Sequence, residues 1–129
     1  METARPITVA AAHTAPVWMQ PSQSVEKAIS LMEEAALHGA SFIVFPESYL
    51  SGFPIWTALA APIVTHDFFQ TFSTVAIPAD GPEVIAIREA APRLALIVQM
   101  GFTQGTDMSV GRLWDTPLLI GAAGRVRHH

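Results

Sequence analysis

The first 45 residues combine two apolar runs with one amphipathic stretch, a pattern typical of a strand, a helix and a second strand. Residues 7–12 and 41–45 each predict a short buried strand. Between these runs, apolar residues recur at helical spacing with charged residues on the opposite face; the apolar set is Val25, Ala28, Ile29, Met32 and Ala36. Because short connections join the three elements, they predict a βαβ unit with parallel strands and a right-handed crossover.

Both ends of the predicted helix are marked by residues that are common at helix boundaries. Ser22 or Ser24 is expected to cap the first turn, because a serine hydroxyl can accept a hydrogen bond from a free backbone N–H group. Gly39 is expected to follow the last turn, where a residue in the left-handed conformation closes a helix.

The rest of the chain predicts further helices and then strands. The predicted elements are, in chain order, short helices over 56–61 and 67–73, a helix over 82–91 that Pro92 ends, strands over 94–102 and 112–120, and the opening of a fifth strand at 125–129. The fold class is therefore α/β, and residues 1–129 contain no linker or internal domain boundary.

The composition narrows the classes of function. Half of the 129 residues are apolar. Charged residues make up 14% of the chain, below the roughly 25% of an ordinary soluble domain. This low charge indicates that a partner covers much of the surface, or that the chain is part of a larger fold. The net charge is −4 and the arginines are scattered, so the sequence predicts no basic patch that could bind nucleic acid. The absence of cysteine excludes disulfides, thiolate zinc sites and cysteine nucleophiles within this sequence.

No segment is predicted to be a signal peptide or a membrane span. The apolar run 7–12 is too short for a signal peptide. Glycines and prolines interrupt residues 35–66, whereas a membrane helix needs about 20 apolar residues without such breaks. The protein is therefore predicted to be soluble and cytoplasmic, with no membrane partner.

One acidic residue stands out by its position. Glu47 is the only fully charged residue between 35 and 66, and it follows the second predicted strand. Open α/β sheets bind their ligands at the carboxyl ends of the strands. Apolar surroundings raise the pKa of a carboxyl group by desolvation, which suits a general base that works near neutral pH. The alternative is a loop glutamate that caps the next helix or pairs with an arginine.

The neighbourhood of Glu47 resembles the catalytic-glutamate segment of the nitrilase superfamily of carbon-nitrogen hydrolases. Residues 45–56 contain Phe-Pro-Glu, then a glycine, an aromatic residue and a proline, and the trailing tryptophan resembles the nitrilase branch more than the amidases. The resemblance continues in order along nearly the whole chain, although His13 stands where glutamine is usual; the similar segments are 9–17, 101–103, 111–116, 118–121 and 124–126.

The resemblance implies the first part of a four-layer αββα sandwich and the hydrolysis of a nitrile to a carboxylic acid and ammonia, without metal or organic cofactor. In this chemistry a cysteine thiolate attacks the substrate, a glutamate acts as general base and a lysine stabilises the developing charge. Glu47 matches the glutamate. Members of the family also form homo-oligomers, so a homo-oligomer is expected.

The other two groups of the family's chemistry have no counterpart in the sequence. There is no cysteine, and the single lysine, Lys27, lies on the polar face of the predicted helix, where a solvated surface lysine is expected. Residues 126–129 resemble the approach to the family's lysine. The chain is therefore expected to be the N-terminal portion of one carbon-nitrogen hydrolase domain, and to be inactive alone.

The remaining candidate residues have structural explanations beside the functional ones. Tyr49 and Trp56 flank Glu47 in sequence and could line a pocket for an apolar substrate, or pack in a core or interface. His13 is expected to make a buried hydrogen bond, and His66 to begin a helix. Residues 128–129 are expected in a terminal strand, the alternatives being metal ligands or a tag remnant.

Three functions remain open at this point. The chain is part of a nitrilase, or part of an amidase or carbamoylase of the same superfamily. Alternatively, it is a catalytically dead module that binds full-length subunits. The run 53–56 favours the first over the second.

Overall fold

The computed structural model describes residues 3–128, which contain five strands and four helices. In chain order they are β1 (Val9–Ala11), α1 (Pro21–Leu37), β2 (Phe42–Val44), α2 (Trp56–Leu59), α3 (His66–Thr74), α4 (Pro82–Arg93), β3 (Ile97–Thr106), β4 (Ser109–Ile120) and β5 (Val126–His128). The strands form one sheet in this order, with β1, β2 and β3 parallel and β3, β4 and β5 antiparallel. The α/β class and the βαβ unit are confirmed, because α1 connects the parallel neighbours β1 and β2.

Helix α1 begins differently from the prediction. Pro21 is its first residue, and the Oε1 atom of Gln20 before it accepts a hydrogen bond from the side chain of Gln23 but caps no backbone N–H group. Proline suits this position because it has no N–H group that would need a partner. The Ser24 hydroxyl donates to the carbonyl oxygen of Val17 at 2.9 Å instead of capping the helix. The predicted serine cap is therefore wrong, whereas Gly39 follows the last turn with a φ of +81°, as predicted.

The hairpin of β3 and β4 is longer than the sequence predicts. The two strands pair up to Thr106 and Ser109, which leaves Asp107 and Met108 as the turn. Residues 103–107 are polar or glycine, and Met108 and Val110 are the only apolar residues up to Gly111, so the pattern gives no signal for a strand. A hairpin ladder depends on backbone hydrogen bonds, and its tip can extend into solvent without an apolar face. The predicted strand bounds at 102 and 112 are wrong for this reason.

The core lies on one face of the sheet, under helices α1 and α4. The sheet contributes alternate residues to this face, namely Ile43, Val98, Met100, Phe102, Leu118 and Ile120, all at most 2% exposed. The helices contribute Ala28, Met32, Val84 and Ile87. This alternation of buried side chains is the two-residue period expected of strands with one covered face.

The opposite face of the sheet has no covering layer within the described residues. Val9 is 51% exposed and Ile97 is 38% exposed, and Phe42 and Val44 of the central strand β2 are only partly buried. The prediction that β1 is a buried strand is wrong, because β1 lies at the edge of the sheet. Among residues 3–128, no helix is long and apolar enough to cross a membrane.

Candidate active site

Glu47 lies in a turn that directly follows β2 and rests on β3. The backbone N–H of Phe45 donates to the carbonyl oxygen of Gln99 at 2.9 Å, which extends the parallel pairing by one residue beyond β2. The chain then turns through residues 47–51 and returns to β3, where the N–H of Leu50 donates to the carbonyl oxygen of Gly101 at 3.1 Å. Glu47 is therefore exposed at the carboxyl end of a parallel strand, the position that the sequence predicts.

Gly101 allows the turn to approach the sheet. A Cβ atom at this position would lie 2.4 Å from the carbonyl oxygen of Pro46, 2.8 Å from the backbone nitrogen of Ser48 and 3.0 Å from the Cα atom of Glu47. All three neighbours are backbone atoms, which cannot rotate away as the end of a side chain can. The turn thus occupies the space that any larger residue at 101 would require.

Ser48 connects the turn to both strands of the hairpin by hydrogen bonds. Its hydroxyl lies 3.1 Å from the hydroxyl of Thr103 on β3 and donates to Oδ1 of Asp115 on β4 at 3.1 Å. Thr103 and Asp115 are direct partners across the antiparallel ladder. Ser48 is buried and has a φ of +51°, a left-handed conformation that costs a non-glycine residue free energy and recurs at functional sites.

Asp115 raises the pKa of the Glu47 carboxyl group. The pKa of Glu47 is raised above its ordinary value first by a side-chain hydrogen bond with Asp115, next by repulsion between the two charges, and least by desolvation. The direction of the pKa shift agrees with the sequence-based expectation, but the expected cause, desolvation, is the smallest of the three. Glu47 is exposed, and a second carboxyl group supplies the largest effects.

Glu47 and Asp115 both line a cavity of about 150 Å³ beside the carboxyl end of β2. The other residues around it are Phe45, Pro46, Gln99, Met100, Gly101 and Pro117. Glu47 and Asp115 are the only titratable groups among these lining residues. A carboxylate in this position can take a proton from a nucleophile or from water, and the apolar walls favour a small organic substrate.

Tyr49 and Trp56 lie away from this cavity. Tyr49 is 1% exposed and its ring packs against Phe45, with 5.1 Å between the ring centroids. Trp56 is 6% exposed and packs against Trp18 and Phe68, each at a centroid distance of 5.8 Å. The described structure thus brings neither ring to Glu47, and their contact with substrate stays a prediction.

Several other candidates have structural positions. Lys27 donates to the carbonyl oxygen of Ala15, so α1 holds the loop after β1 through this side chain. His13 is exposed, and the predicted buried hydrogen bond is wrong. His66 begins α3, as predicted. Residues 3–128 contain no group of three side chains that could hold a metal ion, and His129 lies outside the described residues.

Asp115 and Ser48 are the site residues that sequence reasoning missed. In the sequence, Asp115 belongs to the similar segment 111–116 without standing out within it, and no local pattern singles out Ser48. Their meeting depends on contacts between residues 67 positions apart. A correct register for β3 and β4 was the only signal that could have placed Asp115 beside Thr103, and thus within reach of the turn.

Comparison with known proteins gives a consistent result for the whole chain. A family model described as "Carbon-nitrogen hydrolase" matches residues 8–129. The chain is 28% identical to an arylacetonitrilase of Hypocrea virens, covering 97% of this chain and 36% of the relative. It is 33% identical to a nitrilase of Pseudomonas syringae (81% and 31%) and 32% identical to a cyanide hydratase of Armillaria gallica (94% and 33%). The chain thus spans about a third of the length of these curated relatives.

Solved structures show the same fold at lower identity. A CN-hydrolase superfamily protein of Xanthomonas campestris matches with a TM-score of 0.66 and 19% identity, over 93% of this chain and 38% of that protein. Saccharomyces cerevisiae Nit3, a member of branch 10 of the nitrilase superfamily, matches with a TM-score of 0.69 and 15% identity, over 93% and 41%.

Proposed function

The chain belongs to the carbon-nitrogen hydrolase family, and from this premise we propose that it supplies the general base, Glu47, of a nitrilase that converts a nitrile and water to a carboxylic acid and ammonia. The observation that carries the proposal is the placement of Glu47. It lies on a turn held by β3 and β4 at the carboxyl end of β2, with its carboxyl group in a cavity of mostly uncharged residues. A base must reach its proton before its pKa matters, and this turn presents the carboxyl group to a ligand.

The chemistry of the family assigns Glu47 two proton transfers. A thiol loses its proton to the carboxylate as its sulfur attacks the nitrile carbon, and the carboxyl group passes this proton to the nitrile nitrogen, which gives a thioimidate and restores the carboxylate. Water then adds, ammonia leaves and an acyl-enzyme remains; a second water, which Glu47 deprotonates, releases the carboxylic acid and restores the thiol. Glu47 must be ionised at the start of each transfer, so turnover should fall as the pH falls through its raised pKa.

The thiol and the ammonium group of this mechanism must come from residues other than these 129. The sequence has no cysteine, and Lys27 lies on α1, where it bonds to the loop after β1. We propose that the described chain is the N-terminal portion of a single hydrolase domain. Two observations support this: the curated relatives are about three times as long, and within residues 3–128 no layer covers one face of the sheet.

The 129 residues alone are expected to aggregate or to remain partly molten. The uncovered face and the edge strand β1 expose apolar side chains and unpaired backbone groups, which promote association. Size-exclusion chromatography, thermal unfolding and binding of a hydrophobic dye test this expectation. A monodisperse monomer with one sharp unfolding transition would contradict it.

The proposed reaction is tested on the polypeptide as the cell makes it. A panel of aryl and aliphatic nitriles, with the matching amides, is assayed for ammonia, carboxylic acid and amide. Ammonia and acid from nitriles, with little turnover of the amides, support the proposal. Turnover of amides alone would establish an amidase, and conversion of nitrile to amide without ammonia would establish a hydratase.

The absence of cysteine favours one alternative, a catalytically dead module that binds larger subunits. The intact mass of the native polypeptide separates the two proposals. A mass near 13.9 kDa, together with copurification of a larger family member, would support the module. A mass well above 13.9 kDa would support the nitrilase.

A further inference from the structure

Asp115 stands beside Glu47 on a different element of the sheet. Asp115 belongs to β4, whereas Glu47 follows β2, and β3 lies between these two strands. The two residues are neighbours because the turn of residues 47–51 crosses β3, where Ser48 bonds to Thr103 and Asp115. The Ser48 hydroxyl donates to Oδ1 of Asp115, and the ladder pairs Asp115 with Thr103. The carboxyl group of Asp115 therefore has a fixed position relative to the turn.

We propose that Asp115 is a positioning residue: Ser48 fixes it beside the turn that carries Glu47, and in the cavity that both acidic residues line it orients the carboxyl group of Glu47 by sharing a proton with it. This inference rests on the proposed role of Glu47 as general base. A hydrogen bond between two carboxyl groups needs one proton, so the pair is held together while it carries one proton and repels when both groups are ionised. Asp115 thereby sets the pH at which Glu47 becomes available as a base.

The surroundings of the pair contain no competing charge within the described cavity. On β3 the cavity is lined by Gln99, Met100 and Gly101, and on β4 by Pro117 beside Asp115. The turn contributes Phe45 and Pro46 with Glu47. Asp115 is accordingly the group whose hydrogen bond and charge act on the pKa of Glu47.

The direction of the effect follows from the change in charge. In Asp115→Asn, the amide oxygen can still accept the bond from Ser48, while the negative charge is removed. The amide N–H group can also donate to an ionised Glu47. Both changes favour the charged form of Glu47, so its pKa should fall.

The test compares Asp115→Asn with Asp107→Asn in the polypeptide as the cell makes it. Asp107 is an exposed aspartate at the tip of the same hairpin and does not line the cavity beside Glu47. Its replacement by asparagine removes the same charge as Asp115→Asn does. Carbon-13 NMR follows the titration of the Glu47 carboxyl carbon, assigned by its loss in Glu47→Gln. The midpoint of Glu47 should shift to lower pH in Asp115→Asn and stay in place in Asp107→Asn. An unshifted midpoint in Asp115→Asn, or an equal shift in both variants, would overturn the proposal.

The pH profile of ammonia release gives a second readout that a purely structural role would not move. The acid limb of the profile should shift to lower pH in Asp115→Asn and not in Asp107→Asn. If Glu47→Gln keeps full activity, the proposed function fails, and the NMR titration still decides the role of Asp115. If Asp115→Asn does not fold, Ser48→Ala is titrated instead, because it keeps both carboxyl groups but frees Asp115. A lowered midpoint supports the proposal, and an unchanged one overturns it.

Discussion

Glu47→Gln is expected to reduce the release of ammonia from nitriles by a factor on the order of 10²–10⁴, the usual contribution of a positioned general base. Glutamine keeps the length and the polar atoms of glutamate, but its amide cannot take the proton of a thiol or of water at neutral pH. Because the same base serves both half-reactions, kcat and kcat/KM should fall together. Steady-state assays of the native polypeptide, at a pH above the acid limb of the wild-type profile, measure this loss.

The fold should tolerate this change. Glu47 is exposed, and the turn is held by backbone hydrogen bonds and by Ser48 rather than by the glutamate side chain. Glu26→Gln, which removes the charge of an exposed glutamate on α1, is the matched control and should keep full activity. Near-normal turnover in a folded Glu47→Gln variant would refute the assignment of the base, and equal losses in both variants would indicate a general effect of charge.

The sequence predicts the part of the site that depends on neighbouring residues. The apolar run before Glu47 and the helix before that run are local patterns, so they locate Glu47 at the carboxyl end of β2. The structure confirms this location, while the catalytic role of Glu47 stays a prediction. The carbon-nitrogen hydrolase fold is also predictable from the sequence, because the Phe-Pro-Glu segment and the later motifs occur along the chain in the family's order.

The sequence does not predict what depends on register. Asp115 reaches Ser48 only because it pairs with Thr103 in the hairpin, and residues 103–107 contain no apolar residue from whose spacing this pairing could be predicted. The main cause of the raised pKa of Glu47 is hidden from the sequence for the same reason: Asp115, which lies on another strand, contributes more than desolvation does. The exposure of β1 likewise depends on its edge position, which its apolar residues do not reveal.

Gly101→Ala is expected to displace the Glu47 turn and to lower turnover by about 10²-fold, the loss that a misplacement of about 1 Å can cause. The new methyl group would lie within 3.0 Å of backbone atoms of residues 46, 47 and 48, so the turn must move away from β3. That movement lengthens the hydrogen bond from Leu50 to Gly101 and takes Ser48 from Asp115. Overpacking of this kind also costs about 1–3 kcal/mol of stability. Kinetics and thermal unfolding of the native polypeptide measure the two effects.

Gly111→Ala separates this local effect from the general cost of replacing a strand glycine. Gly111 lies on β4 in the same hairpin, and apart from its own backbone and its two chain neighbours no heavy atom lies within 4 Å of the position that its Cβ would occupy. Gly111→Ala should therefore keep both activity and stability. If Gly101→Ala keeps activity and stability as Gly111→Ala does, the close approach of the turn to β3 does not position the base. A displaced base would lower the turnover of the enzyme. A loss confined to Gly101→Ala, with the NMR titration of Glu47 altered as well, would show that β3 positions the base through direct backbone contact.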